Sequence, residues 1–141
     1  MVKVLMIDYQ KCTGCETCEA ACSAKHEVAI NPFQSRIKIV RWEIEGKGIP
    51  VTCVQCQSAP CQAVCPTKAI SWDESLGRTI IGYDMCIGCR MCVAVCPFGA
   101  AIFDSIGRRV IKCDLCDGDP LCAKFCAYEA LQYVDIKNQS V

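Results

Sequence analysis

Cysteines are the most prominent reactive residues of this sequence and number 16 among 141 residues. They form four groups of four with none left over, and every group begins with a Cys-x2-Cys pair. Because several thiolates on one short loop can reach the same metal centre, this spacing indicates metal binding. In chain order the groups are Cys12, Cys15, Cys18 and Cys22; Cys53, Cys56, Cys61 and Cys65; Cys86, Cys89, Cys92 and Cys96; and Cys113, Cys116, Cys122 and Cys126.

Groups one and three have the tightest spacing, Cys-x2-Cys-x2-Cys-x3-Cys, and Pro97 follows group three. This is the run that holds a 4Fe-4S cluster in bacterial ferredoxins. Three cysteines of one loop can bind three iron corners of a cubane, whereas a helix that begins near the third carries the fourth about 6 Å along its axis, towards a neighbouring cluster. Gly14 and Gly88 lie between the first two cysteines, where a positive φ lets the backbone approach the cluster.

Other uses of clustered cysteines fit the sequence less well. Sixteen cysteines could bind four zinc ions as an interaction scaffold, but zinc sites typically use pairs of cysteines rather than tight triplets. A disulfide framework requires export, and the apolar run Val4–Ile7 is too short for a signal peptide. We therefore expect reduced thiols in the cytoplasm, unless a partner that carries a signal exports the chain.

Charge and hydropathy exclude further functions. Lys and Arg number 15, as do Asp and Glu, so the zero formal net charge argues against a nucleic-acid-binding surface. The apolar stretches are too short for direct membrane insertion. The hydrophobic fraction of 52% includes the cysteines, so the carbon core is thin and bound metal is expected to help hold the fold.

The helices and strands around the cysteines are predicted to be few and short. Helices of one or two turns are expected to follow Cys18, Cys61, Cys92 and Cys122. Strands are predicted at Val2–Ile7, at Arg36–Glu45 before a turn at Gly46–Gly48, and at Thr79–Ile81, which forms a hairpin with Ala69–Trp72 around Gly77.

Parts of the sequence recur. The segment Ile7–Cys15 aligns with Ile81–Cys89, and group two aligns with group four, where Ala69-Ile70 matches Ala130-Leu131. We interpret this as an internal duplication of a unit with two cysteine groups. Similarity imposed by shared ligand spacing is the alternative, because cysteines supply much of the match.

Which groups share clusters is a separate question. Groups two and three lie close in the chain, both end in Cys-Pro and are joined by the predicted hairpin, so we expect them to form an inner pair and groups one and four an outer pair. Pairing of group one with group two is the competing arrangement.

The prediction is one domain, 1–141, with an inner module of about 51–106 and an outer module from 1–50 and 107–141. The predicted ligand sets are Cys12, Cys15, Cys18 and Cys126 for cluster 1; Cys22, Cys113, Cys116 and Cys122 for cluster 2; Cys53, Cys56, Cys61 and Cys96 for cluster 3; and Cys65, Cys86, Cys89 and Cys92 for cluster 4.

The whole pattern resembles the iron–sulfur subunits of molybdenum and tungsten oxidoreductases of the dimethyl-sulfoxide-reductase type. The resemblance rests on four such groups with longer third spacers in second and fourth place, and it covers nearly the whole chain. It implies an α+β fold of two ferredoxin-like dicluster modules with the ligand exchange given above. The small size and the segment Asn31–Ile37 look like the compact subunits paired with tungsten aldehyde:ferredoxin oxidoreductases. Ser23 and Ala127 replace the proline after the fourth cysteine, a departure that the family tolerates.

Four such clusters imply electron transfer without catalysis, since irons bound entirely by cysteine have no open position for a substrate. The expected partner is a large catalytic subunit with a tungsten or molybdenum cofactor, most specifically an aldehyde oxidoreductase. A hydrogenase, formate dehydrogenase or carbon monoxide dehydrogenase is the alternative partner. A further flavin or ferredoxin electron partner and end-to-end self-association are also compatible with the sequence.

Each oxidised cluster with four thiolates carries about −2, so four clusters bring the holoprotein to about −8. Lys11, Arg90, Lys112 and Lys124 are candidates to offset this charge, and a solvated surface position is the alternative for each.

Four aromatic residues and one histidine complete the candidates. His26 has nothing to replace as a ligand, since every group has its four cysteines. Tyr9 and Tyr83 precede matching motifs and are expected to shield clusters from water. Trp42 and Trp72 either pack in the body or mark a docking face.

Overall fold

The structure, a computed structural model, describes residues 3–27, 30–42 and 47–135. Its strands are β1 (Lys3–Ile7), β2 (Lys38–Trp42), β3 (Lys47–Val51), β4 (Ile70–Asp73), β5 (Arg78–Ile81), β6 (Ile102–Asp104), β7 (Arg109–Ile111) and β8 (Leu131–Asp135). Its α-helices are α1 (Thr17–His26), α2 (Pro60–Val64), α3 (Met91–Val95) and α4 (Leu121–Lys124), and short 3-10 helices span Pro32–Gln34 and Leu115–Gly118.

The strands form two-stranded antiparallel ladders. Three are local hairpins, β2–β3, β4–β5 and β6–β7, and the fourth joins the two ends of the described chain through β1 and β8. In that ladder Lys3 lies opposite Asp135 and Ile7 opposite Leu131. The ladder brings the segment before group one beside the segment after group four.

The predicted hairpin and helices are confirmed, and one helix is longer than expected. Strand β4 pairs with β5 so that Ile70 faces Ile81. A helix contains the third cysteine of each group. Helix α1 runs for 10 residues, because Ser23 follows its fourth cysteine and lets the helix continue. By contrast, Cys65 and Cys96 precede prolines, have extended backbones and end α2 and α3.

The helices pack in two pairs, α1 against α4 and α2 against α3. Since each helix carries the third cysteine of its group, group one lies beside group four and group two beside group three. The core between α1 and α4 is partly made of thiols, because Cys18, Cys22 and Cys122 pack there with Ile37 and Leu131. This agrees with the thin carbon core expected from composition.

The predicted turn at Gly46–Gly48 is wrong for Lys47 and Gly48, which belong to β3 and pair with Trp42 and Arg41. Gly48 allows two segments of the backbone to lie close together and does not reverse the chain. A Cβ built there would lie 2.6 Å from the Ile39 Cγ2 and 2.9 Å from the Gly14 Cα, so only glycine lets β3 pack on the group-one loop. Residues 43–46, and with them the rest of the predicted strand, lie outside the described residues, as does Val2.

Candidate metal centre

Four of the predicted ligands line one cavity. Cys12, Cys15 and Cys18 come from group one and Cys126 from group four. Apolar side chains close the rest of the cavity, among them Ile39 and Pro50 of the β2–β3 hairpin and Leu131 of β8. Thiols from both ends of the chain therefore face one space with apolar walls.

A second cavity repeats this arrangement. Cys86, Cys89 and Cys92 of group three line it together with Cys65 of group two. Ile70 and Ile81, from the β4–β5 hairpin, and Val110 supply apolar walls. In both cavities three cysteines of a tight group meet the fourth cysteine of another group.

The remaining cysteines form two further neighbourhoods, which their mutual electrostatic effects reveal. Burial raises the pKa of Cys122, and the charges of Cys113, Cys116 and Cys22 raise it further. In the other neighbourhood burial raises the pKa of the Cys61 thiol, and the charges of Cys53 and Cys96 add to that rise. The first neighbourhood combines three cysteines of group four with the fourth of group one, and the second combines Cys53 and Cys61 of group two with the fourth of group three.

Backbone N–H groups point at several of these sulfurs. The N–H of Arg36 donates to the Cys22 Sγ at 3.2 Å, and the N–H of Ala69 donates to the Cys65 Sγ at 3.3 Å. Matching bonds reach Cys96 from Ala100, Cys53 from Gln55, and Cys113 from Leu115, each at 3.4 Å. Such donors stabilise thiolates and tune the potential of a cluster bound to them.

Burial disfavours the thiolate form of several of these cysteines. It raises the pKa of both Cys18 and Cys113 to about 12. Since metals bind the thiolate, loading these positions releases protons, and the metal supplies the charge that makes a buried thiolate stable. The donor set thus fits a thiophilic metal group rather than a set of free, reactive thiols.

His26 lies beside these thiols but is engaged elsewhere. Its Nδ1 donates to the Cys22 carbonyl oxygen at 2.9 Å and its Nε2 donates to the Asp114 Oδ1 at 2.8 Å. Both partners only accept, so both ring nitrogens carry hydrogen, and the hydrogen bond to Asp114 raises the pKa of His26 to about 10. Although His26, Asp114 and Cys116 present ligand atoms within 4.8 Å of one another, the imidazolium has no lone pair for a metal.

The four candidate cations differ in position. Lys112 is buried, with 6% of its surface exposed. Arg90 stacks over the Phe103 ring at 3.6 Å. Lys11 and Lys124 are exposed and pair with carboxylates, at 4.0 Å from Asp8 and 2.8 Å from Asp119. Burial of Lys112 was not predicted, and nothing in its sequence neighbourhood distinguishes it from the others.

The aromatic candidates are less enclosed than expected. Tyr9 is 59% exposed and Tyr83 is 44% exposed, and the Tyr83 hydroxyl donates to the Val110 carbonyl oxygen at 2.9 Å. Trp72 is half-buried on β4 and lies opposite Thr79. The side chain of Trp42 lies outside what the structure describes.

Comparison with protein families agrees with this donor set. Residues 52–100 match the model of a 4Fe-4S dicluster domain, and residues 9–25 match a 4Fe-4S binding domain. These matches and the 16 cysteines define an iron–sulfur protein.

Individual relatives narrow the class. The chain is 43% identical over 93 residues to the aliphatic sulfonate oxidoreductase polyferredoxin-like subunit of Pyrococcus furiosus, a match that covers 66% of this chain and 53% of that protein. It is 38% identical over 111 residues to the electron transport protein HydN of Escherichia coli, covering 71% of this chain and 59% of HydN. It is 37% identical over 107 residues to a selenate reductase subunit of Mesobacillus selenatarsenatis, covering 72% of this chain and 36% of that protein. The chain thus spans about a third to three fifths of these relatives.

A solved structure covers more of the fold. A chain of the active site complex BamBC of benzoyl coenzyme A reductase with 1,5 dienoyl-CoA is 30% identical, with a TM-score of 0.55, over 99% of this chain and 81% of that one. The same complex as isolated gives 27% identity and a TM-score of 0.54 over 94% and 76%. The chain belongs to the polyferredoxin-like family of 4Fe-4S electron-transfer proteins, and the expected mixed fold of short strands and helices is confirmed. No helix among the described residues is long and apolar enough to span a membrane.

Proposed function

We propose that this chain conducts electrons through four 4Fe-4S clusters as a non-catalytic subunit of an oxidoreductase complex. The observation that carries the proposal is the pair of cavities in which three cysteines of a tight group meet the fourth cysteine of another group. The proposed ligands are Cys12, Cys15, Cys18 and Cys126 for cluster 1; Cys22, Cys113, Cys116 and Cys122 for cluster 2; Cys53, Cys56, Cys61 and Cys96 for cluster 3; and Cys65, Cys86, Cys89 and Cys92 for cluster 4.

The proposed clusters follow one another in a line. Burial raises the pKa of Cys122, and the charge of Cys18 adds to the rise, which supports neighbouring positions for clusters 1 and 2. The pKa of Cys113, raised by burial, is raised further by the charge of Cys53, which supports contact between clusters 2 and 3. Burial and the charge of Cys61 raise the pKa of Cys92, which relates clusters 3 and 4. An electron can then pass from one end of the chain to the other.

Two modules, about 51–106 and 1–50 with 107–141, account for this line, and we propose that they arose by internal duplication. Equivalent backbone bonds support the relation. The N–H of Asp8 donates to the Ala130 carbonyl oxygen at 2.7 Å. At the equivalent place, the N–H of Gly82 donates to the Ala69 carbonyl oxygen, also at 2.7 Å.

The catalytic partner is proposed to be a large subunit with a tungsten or molybdenum cofactor. The names of relatives, a sulfonate oxidoreductase subunit and a selenate reductase subunit, support an oxidoreductase partner. Within that class, the short segment Asn31–Ile37 favours a tungsten aldehyde oxidoreductase. Hydrogenase, formate dehydrogenase and carbon monoxide dehydrogenase remain the alternative catalytic partners. A flavin or ferredoxin protein is the proposed electron partner at the other end of the line of clusters.

Oxygen-free purification of the full chain tests the central claim. We expect about sixteen irons and as many sulfides per chain, with four reducible clusters seen by EPR. A colourless protein that carries zinc would support an interaction scaffold instead. Tungsten in a co-purified large subunit would support the aldehyde oxidoreductase pairing, and nickel would favour the alternatives.

A further inference from the structure

A lysine is buried where the two modules meet. Lys112 precedes Cys113, and its Nζ donates to the carbonyl oxygens of Thr79, at 2.6 Å, and Cys113, at 3.2 Å. Thr79 lies in β5 and is 1% exposed, whereas Lys112 is 6% exposed. The ammonium group is therefore enclosed between the β4–β5 hairpin and the group-four loop.

Gln55 completes a polar bridge at this place. It lies between Cys53 and Cys56, its Nε2 donates to the Cys113 carbonyl oxygen at 2.8 Å, and its Oε1 accepts from the Thr79 N–H at 3.0 Å. Lys112, Gln55 and Thr79, here named the seam bridge, thus connect the loop of proposed cluster 3 to the loop of proposed cluster 2.

No described carboxylate neutralises Lys112. Within residues 3–27, 30–42 and 47–135, no Asp or Glu oxygen lies within 4.0 Å of its Nζ. Arg36 offers the contrast, because it is 5% exposed but pairs with Glu27 at 3.1 Å. The Lys112 Nζ contacts the carbonyl oxygen of Cys113, a ligand of proposed cluster 2, and Gln55, which donates to the same oxygen, lies two residues from Cys53 of proposed cluster 3.

We propose that Lys112 selectively raises the reduction potentials of clusters 2 and 3 and so favours the passage of electrons across the seam between the modules. The proposal rests on the proposed function, because it requires those clusters in that order. One electron makes a cluster more negative by one charge, and a cation in a poorly solvated position stabilises the reduced form more than the oxidised form. Lys112 acts through its field, since its hydrogen bonds go to carbonyl oxygens rather than to sulfur.

An EPR-monitored redox titration of the oxygen-free full chain tests this role. In Lys112→Met we expect two of the four clusters to become harder to reduce, with at least a tenfold change in their reduction equilibrium, or about 59 mV for one electron. Lys112→Arg retains the charge and should keep the potentials close to those of the original chain. Lys124→Gln is the matched control, because it removes an exposed, carboxylate-paired cation from the same cysteine group and should shift no cluster comparably.

The signals of the shifted pair are assigned with Cys113→Ser and Cys53→Ser, which should disturb the same two clusters. An iron-complete Lys112→Met with unchanged potentials, or with one uniform shift of all four clusters, would overturn the proposal, as would an equal effect of Lys124→Gln. If Lys112→Met loses iron, Gln55→Glu adds a negative charge to the seam bridge at nearly constant shape and should lower the same two potentials. Loss of iron from both variants would assign the bridge a structural role and also refute tuning. By contrast, an original chain with far fewer than about sixteen irons would refute the proposed function itself.

Discussion

The loops of groups one and three have the same backbone in different surroundings. Gly14 and Gly88 have φ values of 76° and 70°, and Glu16 and Arg90 both have φ of 64°. In the group-one loop a Cβ on Gly14 would lie 3.6 Å from the backbone of Gly48, whereas no atom lies within 4 Å of the same position at Gly88. Backbone geometry is therefore common to both loops, and only the group-one loop has the backbone of another strand packed against its first glycine.

The β2–β3 hairpin packs its backbone on the group-one loop, whereas the β6–β7 hairpin meets group three through side chains, as Arg90 stacks on Phe103 and Val110 lines the cavity. Beside the group-three loop, several apolar side chains are exposed, at 47% for Met85, 67% for Ile87, 44% for Met91 and 49% for Phe98. The ligands differ accordingly, since Cys12 and Cys18 are buried but Cys86 and Cys92 are half-exposed. Two ligands of the group-one site are therefore more deeply buried than the matching ligands of the group-three site.

The largest expected effect comes from the borrowed fourth ligands, which distinguish the two sites. Cys126→Ser should disturb the same EPR signal as Cys15→Ser, and Cys65→Ser the same signal as Cys89→Ser, because each pair shares a cavity. The readout is iron content and EPR of the reduced full chain. If group one shared its clusters with group two, Cys65→Ser would alter the group-one signal instead.

The second-largest effect is expected from a substitution that pushes the β2–β3 hairpin away from the group-one loop. Gly48→Ala places a Cβ against the Ile39 side chain and the Gly14 backbone, so we expect a loss of about 2 kcal/mol in stability. Gly88→Ala meets open space and has only its positive φ to strain it, a cost of about 1 kcal/mol. Thermal loss of visible absorbance compares the two variants. Equal losses would mean that the hairpin gives the group-one loop no special packing.

A smaller difference is expected in the unaltered chain. The group-three site should lose iron to a chelator several times faster than the group-one site, since Cys86 and Cys92 are more exposed than Cys12 and Cys18. The time course of the two EPR signals, assigned with the serine variants, measures this. Gly48→Ala should loosen the β2–β3 hairpin and so reduce the difference between the two rates of iron loss. Equal rates in the original chain would show that the hairpin does not protect the proposed cluster beside it.

The two matching tyrosines give the smallest effect. Tyr83→Phe removes the hydrogen bond to the Val110 carbonyl oxygen and should cost about 1 kcal/mol or less. Tyr9→Phe alters a side chain that is 59% exposed and should cost less. Chemical denaturation of the iron-loaded chain, followed by absorbance, measures both. A larger cost for Tyr9→Phe would reverse the expected ranking of the two loops.

Local features of the fold followed from the sequence. The spacing of the cysteines predicted a helix near the third cysteine of each group, and the turn at Gly77 between Ala69–Trp72 and Thr79–Ile81 predicted the β4–β5 hairpin. Errors arose where distant contacts override local preference. Gly48 was expected in a turn because glycine commonly breaks strands, but its role is to admit the Gly14 backbone, which is remote in sequence.

The amino-acid sequence is enough to specify the kind and number of donors: sixteen thiols in four loops, with spacing that suits iron–sulfur cubanes. It left open which groups face each other. The folded chain shows in addition that β1 pairs with β8, that group four therefore lies beside group one, and that Lys112 is enclosed while Lys124 is exposed. The two kinds of property differ in the sequence separation of the contacts on which they depend. Ligand spacing and helix formation depend on neighbours a few residues apart, whereas the pairing of chain ends and the burial of a charge depend on segments that meet only when the whole chain has folded.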